Sequence, residues 1–203
     1  FATAFDFESA DFLHSLNIPA YKIASGDLMN LPLVTYVARI GKPMIVSTGG
    51  GTSEDVRRLY DAVMPINPQL CLLQCTASYP TPPDQVNLRA MRTLADSFGC
   101  PVGLSDHSAD PVVAPAAAVA LGACLVEKHF TLSRTLAGPD HRFALEPDEL
   151  GRMVTAIRAT EQVLGHGRKE VLPVEQELRG FARRSIFTVR EIAPGEIFAA
   201  DNV

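Results

Sequence analysis

The chain has 203 residues, of which 47% are hydrophobic and 20% are charged, and its formal net charge at pH 7 is −5. This composition is typical of an ordinary globular protein and excludes low-complexity disorder, a collagen-like chain and a coiled coil. No long run of Lys or Arg occurs, so the sequence argues against a partner that is a nucleic acid or a membrane surface.

Strands and helices are predicted to alternate along the chain. In chain order, the pattern predicts a strand at 1–5, a helix at 8–16, a strand at 20–24, a helix at 31–40, a strand at 43–46, a helix at 53–64 capped by Ser53, a strand at 70–75, a helix at 87–98, a strand at 102–104, a helix at 112–121, a strand at 124–126 that continues toward His129, and a long helix at 147–164. The strands are short and apolar, as expected in a parallel sheet covered on both faces. Six strand–helix units of this kind fit either a doubly wound sheet or a (β/α)₈ barrel.

Polar side chains gather at the carboxyl ends of the predicted strands. They lie at 22–25, 47–48, 75–79, 105–107 and 127–129. In a barrel these ends converge on one mouth, whereas an open sheet needs polar groups only where the strand order reverses. The sequence therefore predicts the α/β class and a (β/α)₈ TIM barrel. Because six strands cannot close an eight-stranded ring, the barrel is expected to lack its first two strands.

The chain is predicted to hold a partial barrel domain and the start of a second domain. The barrel domain, with strands 3–8, occupies 1–166, a linker occupies 167–182, and a truncated domain begins at 183–203. A strand is predicted at 183–189. The chain does not begin with Met, which suggests a piece of a longer protein.

Two further features bear on location. The longest apolar stretch, 112–126, contains Pro115 and Gly122 and is too short to cross a bilayer comfortably. The four cysteines form no CxxC pair, which predicts free thiols and favours a cytoplasmic location.

Two histidines form the strongest candidate metal site. His107 and His129 follow neighbouring predicted strands, so their imidazoles should share one rim, with Asp106 and Glu127 beside them. Imidazole binds Mn²⁺, Fe²⁺ and Zn²⁺, although a histidine at a rim can equally serve as a hydrogen-bonding group. Lys128 alternates with its neighbours and should point away from them, toward the helices. No third protein ligand is evident, which would leave coordination positions open for water or substrate.

A second group of residues could bind an anion. Lys22 ends a predicted strand and could pair with a phosphate or carboxylate, or form a Schiff base. The glycine-rich segment 47–53 follows a strand and opens a helix, so its N–H groups could approach an anion, although a tight turn explains it as well. Ser25 and Ser105, at other strand ends, could donate to the same anion.

Two loops could line the same mouth. The proline-rich loop at 79–83 should hold Tyr79 close to the site, since proline restricts the backbone. Asp140, in the loop after the last strand, could accept hydrogen bonds from sugar hydroxyls or act as a base.

Seven short segments together resemble the sialic acid synthase family, and the resemblance extends over the whole chain. They are 5–9 (FDFES), 21–27 (YKIASGD), 47–49 (STG), 79–82 (YPTP), 103–107 (GLSDH), 127–130 (EKHF) and 138–141 (GPDH). The resemblance implies a barrel followed by a small antifreeze-like (SAF) domain, in a domain-swapped homodimer. It also implies condensation of phosphoenolpyruvate with an N-acetylated amino sugar, such as N-acetylmannosamine, to give a nine-carbon 2-keto acid and phosphate.

The resemblance also implies roles for individual residues. His107 and His129 would hold a divalent metal, with Mn²⁺ expected and Mg²⁺ or Co²⁺ as alternatives. Lys22, Ser47 and Ser105 would bind phosphoenolpyruvate, assisted by Ser25. The catalytic groups would be Lys22, Asp27 and Glu127, and the sugar would be contacted by Thr3, Tyr79 and Asp140.

The sequence departs from the family pattern and leaves alternatives open. Ala77 replaces a polar residue of some relatives, and Asp27 stands where some have Glu. Because family residues on the absent strands are missing, the 203 residues alone are expected to be inactive and poorly folded. Legionaminic or pseudaminic acid synthesis is an alternative within the family. A metal-dependent aldolase or epimerase, or a non-catalytic fragment that only binds, is an alternative outside it.

Overall fold

The computed structural model describes residues 1–203, which divide into two units, Phe1–Gly165 and His166–Val203. The first unit contains six strands: β1 (Ala2–Thr3), β2 (Tyr21–Ile23), β3 (Met44–Ser47), β4 (Leu70–Cys75), β5 (Val102–Asp106) and β6 (Val126–Lys128). Its helices are α1 (Phe7–Ser15), α2 (Leu31–Arg39), α3 (Ser53–Val63), α4 (Arg89–Phe98), α5 (Val113–Ala120) and α6 (Pro147–Leu164). The second unit contains α7 (Gln176–Ala182).

The strands form one parallel sheet in the order β1-β2-β3-β4-β5-β6. Each strand pairs with the next one in the chain, so the order never reverses as it would in a doubly wound sheet. The sheet confirms the prediction of a parallel α/β fold, and its strand order is that of a (β/α) barrel. The two closing strands and the SAF domain remain predictions.

An ion pair across the sheet shows how strongly it curls. Lys22 on β2 lies with its Nζ 3.3 Å from Oε2 of Glu127 on β6. In a flat sheet these strands would be about 19 Å apart, since neighbouring strands are spaced by about 4.8 Å. The sheet is therefore strongly concave on the face that carries these two side chains.

The hydrophobic core lies between the convex face of the sheet and the helices. Alternate strand residues such as Tyr21, Ile23 and Leu72 are fully buried there, packed in one cluster with Val37 of α2 and Leu59 of α3. Tyr21 also donates from its hydroxyl to the carbonyl of Ala10, 3.1 Å away, so its polar end is satisfied. Burial of each large apolar side chain contributes about 1.5–3 kcal/mol, which fixes the strands that carry the site.

Most predicted elements match the structure to within two residues, but two details were wrong. The helix at 53–63 is capped by Thr52 and not by Ser53. The Thr52 Oγ1 accepts from the amide of Asp55 at 3.2 Å, and Oδ2 of Asp55 accepts from the amide of Thr52 at 2.9 Å. Asp55 is the third residue of the helix, which is where such a reciprocal pair forms with the cap. Ser53 is already the first helical residue, so it is not the cap.

The second unit contains no strand, so the strand predicted at 183–189 is wrong. The apolar side chains of Ile186, Phe187 and Val189 are exposed, and the amide of Val189 donates to the carbonyl of Asn202 at 3.1 Å without extending into a ladder. A strand needs a neighbour that pairs along its length, and the described residues provide none. No helix of the protein has both the length and the apolar character needed to cross a membrane.

Gly103 on β5 is required by close packing beneath the site. A Cβ at this position would lie 2.3 Å from the carbonyl oxygen of Leu125 and 2.7 Å from a methyl carbon of Leu73. We therefore expect Gly103→Ala to force β5 and β6 apart and to lower the free energy of unfolding by about 1–3 kcal/mol. Urea unfolding would measure this, with the open position Gly151→Ala on α6 as the control. A stability equal to the parent protein would contradict the steric argument.

Candidate active site

The register of β5 and β6 decides which side chains enter the concave face. Ser105 pairs with Glu127, and Asp106 pairs with Lys128. Successive side chains on a strand point to opposite faces. Ser105 and Glu127 therefore face the concavity, and the next residues on that face are His107 and His129. Their ring centroids lie 5.2 Å apart.

Asp106 does not accompany the imidazoles, so that expectation is wrong. Its carboxylate lies on the convex face, where Oδ2 is 2.6 Å from the Nζ of Lys128. The expectation that Lys128 points away from Glu127 and His129 is confirmed. The physical reason in both cases is the alternation of the strand, which separates Asp106 from His107 although they are adjacent in sequence.

The surroundings of His107 leave one ring nitrogen free. Its Nδ1 lies 3.0 Å from the carbonyl oxygen of Thr76 and 3.8 Å from Sγ of Cys75. A carbonyl can only accept a hydrogen bond, so Nδ1 carries the hydrogen, and in the neutral ring Nε2 keeps a lone pair. A metal-binding histidine commonly has this arrangement, with its other nitrogen held by a carbonyl.

His129 lies beside His107 at a spacing that one ion could bridge. Its Nδ1 lies 3.6 Å from Oδ2 of Asp140. Two imidazoles that bind one metal through nitrogens at about 2.1 Å have centroids about 5–6 Å apart, in agreement with the spacing from His107. No set of three or more His, Cys, Asp or Glu side chains in the chain is arranged to hold a metal ion. The donor set is therefore two imidazoles, and a cation here would take its remaining ligands from outside this set.

Charges at the rim interact with one another. Burial disfavours ionisation of Cys75, but hydrogen bonds from His107 and Ser25 outweigh it and lower the pKa of the thiol. Burial also disfavours a charge on His107, but the hydrogen bonds to Cys75 and Thr76 outweigh it and raise the pKa of this imidazole. The pKa of His129 is lowered, first by burial and then by the positive charge of His107. The two imidazoles thus differ in their readiness to carry a proton.

Two aromatic rings form one wall of the site. The ring centroid of Tyr79 lies 4.2 Å from that of His107, and the ring of Phe143 lies 5.1 Å from that of His129. Tyr79 and Phe143 also contact each other, with centroids 5.4 Å apart. Burial raises the pKa of Tyr79, followed by the effect of the negative charge of Cys75. Sequence analysis did not identify Phe143, because the loop that carries it has no periodic pattern.

The anion-binding candidates lie deeper in the concavity. Lys22 is only 5% exposed, and its Nζ donates to the carbonyl of Ile23 at 3.0 Å as well as pairing with Glu127. The contact with Glu127 is close enough for an ion pair but does not have hydrogen-bond geometry, so Oε2 of Glu127 remains without a hydrogen-bond partner. The Oγ of Ser47 is likewise buried and without a partner. Leaving a buried polar group unpaired costs about 1–3 kcal/mol, and such groups are typical of sites that accept a ligand.

Ser25 is fixed at the edge of this pocket by the glycine-rich loop. The amide of Gly49 donates to Oγ of Ser25 at 3.0 Å, and this oxygen lies 3.5 Å from Sγ of Cys75. A Cβ on Gly49 would lie 2.7 Å from that sulfur and 2.9 Å from that oxygen, so a side chain there would displace both. Cys75 was expected to be only a free thiol, and the structure places it between Ser25 and His107.

Three other predicted site residues have weaker connections to this cluster. Ser105 faces Cys75 and contributes to lowering the pKa of that thiol. Thr3 on β1 is the register neighbour of Lys22. Asp27 lies in a short 3₁₀ turn, and its Oδ1 accepts from Nδ2 of Asn30 at 3.1 Å. No ion pair or hydrogen bond joins Asp27 to the other predicted site residues.

A cavity of about 610 Å³ lies beside the rim, between the amino-terminal ends of α3 and α4. Thr48, Thr76 and Ala77 line it together with residues of both helices, and no charged side chain does. The charged side chains of the candidate site and its two imidazoles lie on the concave face. That face is therefore the better candidate for chemistry, although the cavity adjoins it at Cys75.

Comparison with known proteins agrees with this arrangement of strands. The model of the NeuB family matches residues 1–169. The chain belongs to the NeuB family. Spore coat polysaccharide biosynthesis protein SpsE of Bacillus subtilis is 44% identical, and its crystal structure superposes with a TM-score of 0.76 over 98% of this chain and 60% of that one.

Two further relatives carry names that describe an activity. N,N'-diacetyllegionaminic acid synthase of Legionella pneumophila is 42% identical over 199 residues, which are 96% of this chain and 56% of the relative. The crystal structure of an N-acetylneuraminic acid (sialic acid) synthetase from Leptospira borgpetersenii, in complex with citrate, is 35% identical. It has a TM-score of 0.83 and covers 91% of this chain and 66% of that one. The chain spans about 60% of the length of the relatives it matches.

Proposed function

We propose that this NeuB-family chain is part of an enzyme that condenses phosphoenolpyruvate with N-acetylmannosamine, or a related N-acetylated amino sugar, and water. The products would be a nine-carbon 2-keto sugar acid and phosphate. The observation that carries the proposal is the concave face itself, where two imidazoles 5.2 Å apart lie on the same face as a buried ammonium group. The names of the Legionella and Leptospira relatives support this reaction class.

The deeper part of the concavity is assigned to phosphoenolpyruvate. Lys22 supplies a fixed positive charge, and Ser47, Ser25 and Ser105 supply hydroxyl donors for the phosphate and carboxylate. The unpaired Oγ of Ser47 supports this assignment, because an anion would satisfy it. The Nζ of Lys22 lies against the carboxylate of Glu127. This contact favours an ammonium group that binds an anion over a neutral amine that attacks a carbonyl, and it disfavours a Schiff-base aldolase.

The rim is assigned to the acceptor sugar. A divalent cation held by His107 and His129, with Mn²⁺ proposed and Mg²⁺ or Co²⁺ as alternatives, would polarise the aldehyde of the sugar. Tyr79 covers one side of the imidazoles, and Asp140 lies at the edge of His129, which supports the proposal that both contact sugar hydroxyls. Thr3 is a further contact in the proposal.

The acidic residues are assigned to the reacting carbon atoms. Attack of C3 of phosphoenolpyruvate on the aldehyde forms the new C–C bond and leaves positive charge at C2. The carboxylate of Glu127, on the concave face, stabilises that charge, with Asp27 as the second acidic group. Water then adds at C2, and cleavage of the C2–O bond releases phosphate as the keto group forms.

The reaction can be tested on the full-length gene product. The protein would be incubated with phosphoenolpyruvate, Mn²⁺ and each of four sugars: N-acetylmannosamine, its 6-phosphate, and the di-acetamido sugars that lead to legionaminic and pseudaminic acid. We expect one of them to release phosphate in step with a product of the condensed mass. With ¹⁸O in the bridging position, the label should appear in phosphate, since the C–O bond breaks. Failure of all four sugars would contradict the proposal, and borohydride trapping at Lys22 would support an aldolase instead.

We also propose an assembly for the full-length protein. A domain-swapped homodimer, completed by an SAF domain that begins in the second unit, follows from the family resemblance only. The cytoplasmic location also stays a prediction.

A further inference from the structure

A buried ion pair lies directly behind the two imidazoles, on the opposite face of the sheet. The side chains of Asp106 and Lys128 are 1% and 4% exposed, and Oδ2 and Nζ are 2.6 Å apart. The two residues are register partners on β5 and β6. They therefore connect the same two strands that carry His107 and His129, one residue before each imidazole.

The ion pair also fixes the loop that follows β5. Asp106 accepts from the amide of Ser108 at 2.8 Å and from its hydroxyl at 2.9 Å. Lys128 donates to the hydroxyl of Ser108 at 3.3 Å and to the carbonyl of Asp110 at 3.2 Å. The carbonyl of His107 itself accepts from the amide of Thr81 at 2.9 Å. Residues on both sides of His107 are thus tied to one ammonium group on the next strand.

Stability alone is a weak explanation for this pair. Removing two charges from water costs several kcal/mol for each, and apolar residues of similar volume often give equal or greater stability. What an apolar pair cannot supply is directional contact with Ser108 and Asp110. The geometry therefore favours a role in fixing the distance and orientation between strand ends.

We infer that the Asp106–Lys128 ion pair is a positioning device that sets the spacing of His107 and His129 for a shared divalent cation. The inference rests on the proposed function, because it needs that cation to bind at the imidazoles. Neither residue touches substrate or cation, since both point to the convex face. Replacement of residues that orient metal ligands without touching the metal typically weakens metal binding about 10–100-fold.

The decisive variant replaces the pair without leaving a lone buried charge. We expect the free energy of unfolding of the full-length double variant Asp106→Leu/Lys128→Met to stay within about 1–2 kcal/mol of that of the parent protein. The variant should bind Mn²⁺ about 10–100-fold more weakly. Mn²⁺ affinity would be measured by electron paramagnetic resonance of the free ion, without substrate. The KM for phosphoenolpyruvate should change less than the Mn²⁺ affinity, because Lys22 and Ser47 lie on other strands and only Ser105 of the proposed phosphoenolpyruvate ligands lies on β5. The matched control is Arg158→Gln/Glu161→Gln, which removes an exposed ion pair on α6.

The outcomes separate this inference from the proposed function. If His107→Ala retains parental Mn²⁺ affinity, the metal site itself is wrong, and the inference is wrong with it. If His107→Ala loses Mn²⁺ binding while the folded double variant keeps parental affinity, only the positioning role is overturned. Should the double variant fail to fold, Asp106→Asn/Lys128→Met provides the test, because it removes both charges while the side-chain oxygen at 106 can still accept from Ser108. A weaker Mn²⁺ affinity is again expected, and unchanged affinity in this folded variant overturns the inference.

Discussion

Replacement of His107 by alanine is expected to cause the largest loss of activity. The substitution removes one of the two imidazoles of the proposed metal site and the partner of Cys75 and Thr76. We expect kcat/KM of the full-length enzyme to fall by about 10³-fold or more, since the aldehyde would lose its activating cation. Mn²⁺ binding should fall below detection at micromolar protein. Phosphate release and titration of free Mn²⁺ measure the two effects.

A histidine outside the site provides the control for this experiment. His14 lies exposed in the last turn of α1, and His14→Ala should leave both measurements unchanged. An unchanged rate in His107→Ala would remove this residue from the mechanism. A normal metal affinity with a reduced rate would assign His107 to the substrate and not to the cation.

Replacement of Lys22 is expected to have the second largest effect, and it should act on phosphoenolpyruvate. Lys22→Met keeps the length of the buried stem but removes the charge that faces Glu127 and the proposed phosphate. We expect kcat/KM for phosphoenolpyruvate to fall about 10²–10³-fold, because a charge-assisted contact to a phosphate would be lost in a buried site. Initial rates over a range of phosphoenolpyruvate concentrations give this value.

The same substitution should also destabilise the fold. Glu127 would lose its cation while its Oε2 stays buried, although its side chain is about a third exposed and water reduces the penalty. A decrease of about 1–3 kcal/mol in the free energy of unfolding is therefore expected. Lys42→Met is the control, since Lys42 is half-buried outside the site and its Nζ donates only to Oδ1 of Asn17. Unaltered kinetics for phosphoenolpyruvate in Lys22→Met would contradict the anion assignment.

Metal affinity and phosphoenolpyruvate kinetics should respond separately to these variants. His107 lies at the rim and Lys22 lies deeper, on a strand at the other side of the concavity. Mn²⁺ affinity in Lys22→Met should remain close to that of the parent protein, because neither imidazole contacts Lys22. If both variants changed both properties equally, a general loss of folding would explain them better than two subsites.

Several features of the fold could be read directly from the sequence. Residues 147–164 were predicted as a helix and form α6 with those bounds, because proline at the first position and a capping pair mark its start and a glycine marks its end. The parallel sheet followed from short apolar strands that alternate with helices. The shared rim of His107 and His129 followed from neighbouring strand ends, which local order along the chain determines.

Other features depended on contacts that no local pattern specifies. Asp106 was placed beside the imidazoles because it adjoins His107 in sequence, but the register of β5 turns it to Lys128 on the convex face. Phe143 reaches the site on a loop, and Cys75 reaches it through contacts between strands. The strand predicted at 183–189 had a suitable composition but has no neighbour with which to pair.

The amino-acid sequence by itself determined the order of elements, the class of fold and the chemical groups available at the strand ends. These depend on periodicity, capping and turn residues, which act over a few positions of the chain. Only the tertiary structure decided which of those groups meet. The ion pair between Lys22 and Glu127 requires the sheet to curl until β2 and β6 approach each other, and that curvature comes from the packing of every strand against its neighbours and the helices.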